Sequence, residues 1–228
     1  MPYAPLPLTP QLYAYVDAHT GPEPTLLAAL RAHVEAQHPQ HHMITPWPTA
    51  QLLAFLVRLT RPRTLIEVGT FVGYSTLAMA MAMGADAHLH TIDHDTTTLA
   101  HGRPFWKQSG NTAQISVHEG DGLDQLQKLH TSGTIGDFFY IDANKRGYAD
   151  YLEAALQMAA PGALLAFDNT LSEGKVLDQD PKPFVKAIQA FNQKVRQQAT
   201  PLKNAPHALL NACLLPVGDG LTLIQKTS

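Results

Sequence analysis

The chain of 228 residues contains a single cysteine, Cys213, which cannot close a disulfide within the chain, and no run of Lys and Arg that could follow a phosphate backbone. Charge of either sign is sparse. Asp, Glu, Lys and Arg together make up 15% of the residues, the formal net charge is −3, and the isoelectric point is near 6.4. This balance argues against nucleic acid or another polyanion as a partner. No apolar run approaches the ~20 residues needed to cross a bilayer. The opening Met1-Pro-Tyr-Ala-Pro-Leu-Pro7 has neither the basic flank nor the sustained apolar core of a signal peptide. A cytoplasmic enzyme without a membrane partner is therefore expected. Internal repeats and low-complexity segments are absent too. Apolar residues are plentiful at 45%, enough for one compact domain, while the length is too short for two full-sized ones. A single domain over 1–228 is expected, with a helical front over 1–60 and an α/β body over 61–228.

Apolar periodicity predicts helices over 10–19, 22–37 and 49–60, the last with its apolar face at Leu52, Leu53, Phe55, Leu56 and Leu59. Strands over 64–68, 88–93, 114–118, 137–141 and 162–168 then alternate with helices over 74–83, 96–109, 122–130 and 148–159. Repeated βαβ units of this kind predict a doubly wound, Rossmann-like, mostly parallel sheet. A helix over 182–198 follows. Two further strands, 208–216 and 221–226, flank Gly218-Asp219-Gly220, a hairpin signal, so the sheet is expected to have seven strands and to end antiparallel.

Within this pattern, Thr64-Leu-Ile-Glu-Val-Gly-Thr-Phe-Val-Gly-Tyr-Ser-Thr76 combines a buried strand, a carboxylate, two glycines and a helix start. The spacing Glu67-x-Gly69-x-x-x-Gly73 differs from the Gly-x-Gly-x-x-Gly that seats a pyrophosphate on a helix N-terminus. An acid in the turn would repel a pyrophosphate but suits the sulfonium and ammonium groups of S-adenosylmethionine. Asp93, at the end of the next strand, lies in the window where such folds put a ribose-binding carboxylate. Asp95, ahead of Thr96-Thr97-Thr98, suits helix capping instead.

The fourth strand delivers Asp142, Asn144 and Lys145, and the fifth delivers Asp168-Asn169. Open α/β sheets bind ligands at these carboxyl ends. Two carboxylates and an amide oxygen are hard ligands, in a number that suits Mg²⁺ completed by water and substrate, and the cluster has none of the His/Cys set of a zinc centre. His38, His41 and His42 occupy a Pro-containing loop and are not assigned as ligands. Trp47 and Trp106 are read as packing residues, and Cys213, in an apolar strand, as a small inert hydrophobe.

Six segments in order resemble the cation-dependent O-methyltransferases, the family of the caffeoyl-CoA and catechol enzymes. They begin at Ile66-Glu-Val-Gly-Thr-Phe-Val-Gly-Tyr-Ser75, Thr91-Ile-Asp93, Glu119-Gly-Asp-Gly122, Phe139-Tyr-Ile-Asp-Ala-Asn-Lys-Arg-Gly-Tyr148, Pro161-Gly-Ala-Leu-Leu-Ala-Phe-Asp-Asn-Thr170 and Leu215-Pro-Val-Gly-Asp-Gly-Leu-Thr222. The resemblance implies a cofactor pocket lined by Met43 and Thr45 from the front loop, with Glu67, Gly69, Thr70 and Ser75 near the methionine part. Asp93 would hold the ribose and Gly122 would lie beside the adenine. Asp142, Asp168 and Asn169 would carry the divalent cation, Asp142 also facing the cofactor, and Lys145 would deprotonate the acceptor. It further implies a homodimer.

Two positions depart from the family pattern: Asn144 stands where a second Asp is frequent, and Leu171-Ser172-Glu173 follows Thr170 where plant members usually continue Leu-Trp. The expected reaction is methyl transfer to a hydroxyl of a small catechol-like acceptor, whose vicinal oxygens a divalent cation would chelate and acidify. Lys145 would take the proton. Three other readings are kept for comparison: a metal-independent methyltransferase, a nicotinamide-dependent oxidoreductase and a non-catalytic cofactor-binding protein of the same fold.

Overall fold

A computed structural model describes residues 6–199 and 209–227. Strands β1 (Thr64–Val68), β2 (His88–Asp93), β3 (Ile115–Glu119), β4 (Gly136–Ile141), β5 (Ala159–Phe167), β6 (Leu210–Leu215) and β7 (Leu221–Lys226) form one sheet in the order β3-β2-β1-β4-β5-β7-β6. The pairs β1/β2, β1/β4, β2/β3 and β4/β5 are parallel, and β7 runs antiparallel to both β5 and β6. The chain order reverses beside β1, between β2 and β4, and that switch point is where such a sheet opens a crevice at its carboxyl edge.

Helices α1 (Pro10–His19), α2 (Thr25–Gln37) and α3 (Trp47–Thr60) precede the sheet. Helices α4 (Tyr74–Ala80), α5 (Leu99–Ser109), α6 (Gly122–Thr131), α7 (Tyr148–Met158) and α8 (Pro183–Gln198) alternate with its strands. The central strands are buried on both faces, as parallel strands sandwiched by helices must be: Leu65, Ile66, Phe138, Phe139, Tyr140, Ile141 and Phe167 are at most 1% exposed. One core layer joins Ile66, Ile141 and Phe167 to α7 and α8, and the other joins Leu65, Phe138 and Tyr140 to α3.

Most expected elements appear within a few residues of their predicted bounds. The helix expected over 74–83 ends at Ala80, and the one expected from 96 starts with a 3-10 turn, Thr96–Thr98. Asp95 caps that turn, its Oδ1 accepting from the Thr97 N–H at 2.9 Å. The strand expected from Ala208 begins at Leu210, and Ala208 itself lies outside the described residues. The face predicted for α3 is met in part, with Leu53 buried and Leu52 and Leu56 partly buried against the core. Thr49, Ala50, Leu53, Ala54 and Val57 are buried, whereas Phe55 and Leu59 stand 59% and 67% exposed. Cys213 is exposed on β6, the last strand of the sheet, rather than packed as a small hydrophobe. Among the described residues no helix is long and apolar enough to cross a membrane.

Candidate active site

Parallel pairing aligns the strand ends. Val68 pairs with Ile141, and Ile141 pairs with Phe167. The next residue of each strand then bonds sideways: Asp142 N–H donates to Val68 O at 2.8 Å, and Asp168 N–H to Ile141 O at 3.0 Å. Gly69, Asp142 and Asp168 thus become neighbours across three strands. Gly69 has φ +101°, and a Cβ there would lie 2.2 Å from the Asp142 carbonyl oxygen, so only glycine fits. Gly73 is equally constrained, with φ +75° and the Trp106 ring where its Cβ would go. Trp106 is a core residue whose indole N–H donates to the Gly73 carbonyl at 2.9 Å, and the Trp47 indole donates to Gly21 O.

These ends line a cavity of about 900 Å³, of the size that holds a small ligand. Of the residues expected at the site, Met43, Thr45, Gly69, Asp93, Gly122, Asp142, Lys145, Asp168 and Asn169 all line it. Met43 is half exposed at the rim, the last residue of the 3-10 turn that begins with His41 and His42; both histidines are exposed, and His42 reaches the cavity wall. His38 packs edge-on against Phe71. Asp93 Oδ2 accepts from the Phe71 N–H at 2.7 Å and Oδ1 from the Asp95 N–H at 3.1 Å, which fixes the carboxylate below the glycine turn. Gly122 starts α6 behind its cap Asp121, packed so closely that a Cβ would meet the Tyr151 hydroxyl at 2.7 Å.

Glu67, Thr70 and Ser75 sit elsewhere, behind the cavity wall, and are at most 4% exposed. The Glu67 carboxylate accepts from the hydroxyls of Ser75 at 2.6 Å, Thr76 at 2.5 Å and Thr91 at 2.6 Å. Thr70 joins this box through Thr91, at 2.6 Å. Complete burial pushes the Glu67 carboxyl up to about 7 despite those three donors, and the nearby Asp142 charge adds to the rise. Glu67 therefore braces the glycine turn from within.

At the opposite end, the Lys145 ammonium donates to Asp142 Oδ1 at 2.6 Å and to the Tyr148 phenolic oxygen at 2.8 Å. The Tyr148 hydroxyl in turn donates to the Asp168 backbone carbonyl at 2.8 Å. Asp168 is 3% exposed, and burial, then the Asp142 charge, raise its carboxyl above the usual range. The Tyr140 phenol donates to Asp168 Oδ2 at 2.7 Å, and the Asn169 N–H to Oδ1 at 2.7 Å. Asn169 itself adopts φ +55°, a conformation Asn tolerates better than most residues. Two carboxylates with an adjoining amide, one of them raised by its twin, fit a divalent cation. Among the described residues no group of three or more His, Cys, Asp and Glu side chains could hold a metal, so this set would depend on the Asn169 amide as its third ligand.

Sequence reasoning missed other wall residues. Asp219, in the β6–β7 turn, reaches the same cavity, because Leu171 N–H bonds to its backbone oxygen at 2.9 Å and Thr170 N–H to Gly220 O at 3.0 Å. Its carboxylate accepts from the Glu173 N–H, and burial raises its pKa. The signal was present in Gly218-Asp219-Gly220, read only as a turn. Thr49 also lines the wall, with a buried hydroxyl that has no hydrogen-bond partner among the described residues. Tyr140 and Tyr148 carried no signal beyond their place in an apolar strand and a helix start.

A nucleoside-sized cavity over the switch point of a sheet that ends in an antiparallel hairpin defines the Rossmann-like methyltransferase class. The sequence pattern of one family within it, described as O-methyltransferase, matches residues 17–227. Caffeoyl-CoA O-methyltransferase 2 of Petunia hybrida is 32% identical over 222 residues, covering 95% of this chain and 90% of the relative. Caffeoyl-CoA O-methyltransferase 1 of Eucalyptus globulus is also 32% identical, covering 90% and 83%. Among solved structures, the O-methyltransferase TomG from Streptomyces achromogenes, in complex with S-adenosylmethionine, superposes with a TM-score of 0.81 at 27% identity, covering 96% of each chain. An O-methyltransferase from Bacillus cereus in complex with S-adenosylhomocysteine gives 0.80 at 26% identity, covering 94% of this chain and 96% of the other. The chain belongs to the O-methyltransferase family, and its enzyme class is S-adenosylmethionine-dependent O-methyltransferase of the caffeoyl-CoA type.

Proposed function

We propose that the protein methylates a hydroxyl of a small vicinal diphenol, assisted by a divalent cation, Mg²⁺ by its hard oxygen donors, held by Asp142, Asp168 and Asn169. The observation that carries this reading is the meeting, at two adjacent strand ends, of a buried carboxylate, a second carboxylate and an amide, with Lys145 2.6 Å from Asp142. S-adenosylmethionine supplies an electrophilic methyl group and the cation stabilises negative charge on the acceptor oxygen. The remaining work falls to the chain. Gly69, Asp93, Gly122, Met43 and Thr45 enclose the cofactor end. Glu67, Thr70 and Ser75 act one layer back, by fixing the glycine turn. Lys145 would accept the acceptor's proton at Nζ in its neutral amine form, and Asp142 and Tyr148 hold that nitrogen in place.

A metal-independent reaction is the second reading. It is favoured by the Lys145–Asp142 contact, which already supplies a positive charge at the carboxylates. Asp168→Ala separates the two: loss of Mg²⁺ binding together with methyl transfer supports the cation site, and unchanged transfer rejects it.

The same proposal takes residues 1–228 as one methyltransferase domain, acting in the cytoplasm on a small molecule, with neither nucleic acid nor membrane as partner. A homodimer is included. The exposed Phe55 and Leu59 of α3, and an α1 that buries none of its residues, support a partner surface on the helical front.

A further inference from the structure

Tyr140 occupies the interior of β4, between β1 and β5, in a row where Phe138, Phe139 and Ile141 are fully buried apolar residues. A phenol in that row carries a hydroxyl into the core, which costs free energy unless the oxygen finds partners. Both of its partners belong to the cavity wall. The hydroxyl donates to Asp168 Oδ2 at 2.7 Å, and the Thr45 side chain interacts with the same phenolic oxygen. Thr45 comes from the front loop, where its backbone carbonyl accepts from Arg31 Nη2 at 3.4 Å. With the Asn169 N–H on Oδ1, each oxygen of the Asp168 carboxylate has one donor and keeps a lone pair for another ligand.

We infer that Tyr140 is a positioning residue: its hydroxyl holds the Asp168 carboxylate in the orientation that receives a divalent cation, and through Thr45 it couples that end of the cavity to the front loop at the cofactor end. The inference rests on the proposed cation site at Asp142, Asp168 and Asn169. Partners that orient a ligating carboxylate typically change metal affinity ~10- to 100-fold. A phenylalanine at 140 keeps the ring that packs beside Phe138 and removes only the oxygen, which leaves Oδ2 without its donor. Coupling between two sites is reciprocal, so a cation that tightens the cofactor product must itself be tightened by it to the same extent.

The test is calorimetric titration of Mg²⁺ into the protein loaded with S-adenosylhomocysteine, without any acceptor, for the wild type and Tyr140→Phe. The expected result is Mg²⁺ binding weakened ~10- to 100-fold in the variant. Equal affinity in the two proteins overturns the inference and leaves the cation site standing. A wild type that binds no Mg²⁺ overturns both. Thr45→Val supplies the second variant, since it keeps Tyr140 and changes only the front-loop hydroxyl. Wild-type S-adenosylhomocysteine binding is expected to tighten on adding Mg²⁺, and that gain is expected to fall toward none in Thr45→Val. A gain that persists undiminished contradicts the coupling.

Discussion

The Lys145 ammonium stands 2.6 Å from Asp142 Oδ1, within a cavity wall where each side chain retains about a quarter of its exposure. The pair is neither a free surface contact nor a sealed core pair. A short 3-10 turn, Lys145–Gly147, lets the lysine fold back over the strand end that carries its partner, and Asn144 Oδ1 caps that turn by accepting from the Arg146 N–H at 3.2 Å. Asn144 therefore does a structural job that needs an oxygen acceptor and no charge, one that the acid expected there by resemblance could do as well.

Lys145→Ala removes the proposed proton acceptor and leaves Gly69, Asp93, Gly122, Met43 and Thr45 in place. A general base is worth ~10²- to 10⁴-fold in rate, so kcat is expected to fall by that order. S-adenosylhomocysteine affinity is expected to change little. Steady-state kinetics alongside calorimetry checks the split.

Glu67 makes stability depend on pH. Its carboxyl is held up to about 7 in the fold, against an ordinary 4.5, so the native state binds the proton more tightly than the unfolded chain. This contribution is fully present below 4.5 and is lost as pH rises to 7. Glu67→Gln cannot lose a proton, and is expected to gain on the wild type by about 3 kcal/mol between pH 4.5 and 7, at ~1.4 kcal/mol per unit. Urea unfolding of both proteins across that window measures the difference.

Gly69→Ala combines positive φ with a Cβ 2.2 Å from the Asp142 carbonyl. Backbone strain of this kind costs ~1–3 kcal/mol before any clash is counted. The expected outcome is a loss of at least ~2 kcal/mol of stability together with weakened cofactor binding, because relief of the clash displaces the Asp142 strand end. Thermal unfolding and cofactor titration read the two effects separately.

Arg31 ties the front loop down. It bonds Glu23 Oε1 at 3.1 Å, lies 4.5 Å over the Tyr74 ring and reaches the Thr45 carbonyl, while the Tyr74 hydroxyl donates to the same Glu23 oxygen. Tyr74 is the first residue of α4, so this cluster joins the loop to the helix that leaves the glycine turn. A charged hydrogen bond is worth ~1.5–3 kcal/mol. Arg31→Met is expected to raise the KM for S-adenosylmethionine ~10-fold or more, with a smaller change in kcat.

Much of the fold was legible because its signals are local. The βαβ alternation, the glycine turn at 69–73 and the hairpin at 218–220 each rest on residues close in sequence, and the strands at 64–68 and 88–93 fall within the same bounds in the structure. The strand-end acids were legible because a parallel sheet brings successive carboxyl ends to one edge. Contacts between distant segments left no such trace. Phe55 and Leu59 face outward while Ala50 and Ala54 are buried, and periodicity alone favours the larger apolar residues. Glu67, expected near the methionine part of the cofactor, is also enclosed by a hydroxyl box that Thr91, 24 positions away, closes. Asp219 and Tyr140 reach the site through pairings of β7 and β4 with β5, which no short window contains.

The most direct measurement is release of S-adenosylhomocysteine by the purified protein with a panel of vicinal diphenols, run with Mg²⁺ and again with excess chelator, with the methylated product identified by mass spectrometry. The account predicts turnover of at least one diphenol that is lost on chelation and restored by Mg²⁺. Turnover that continues unchanged in chelator would contradict the cation site at Asp142, Asp168 and Asn169.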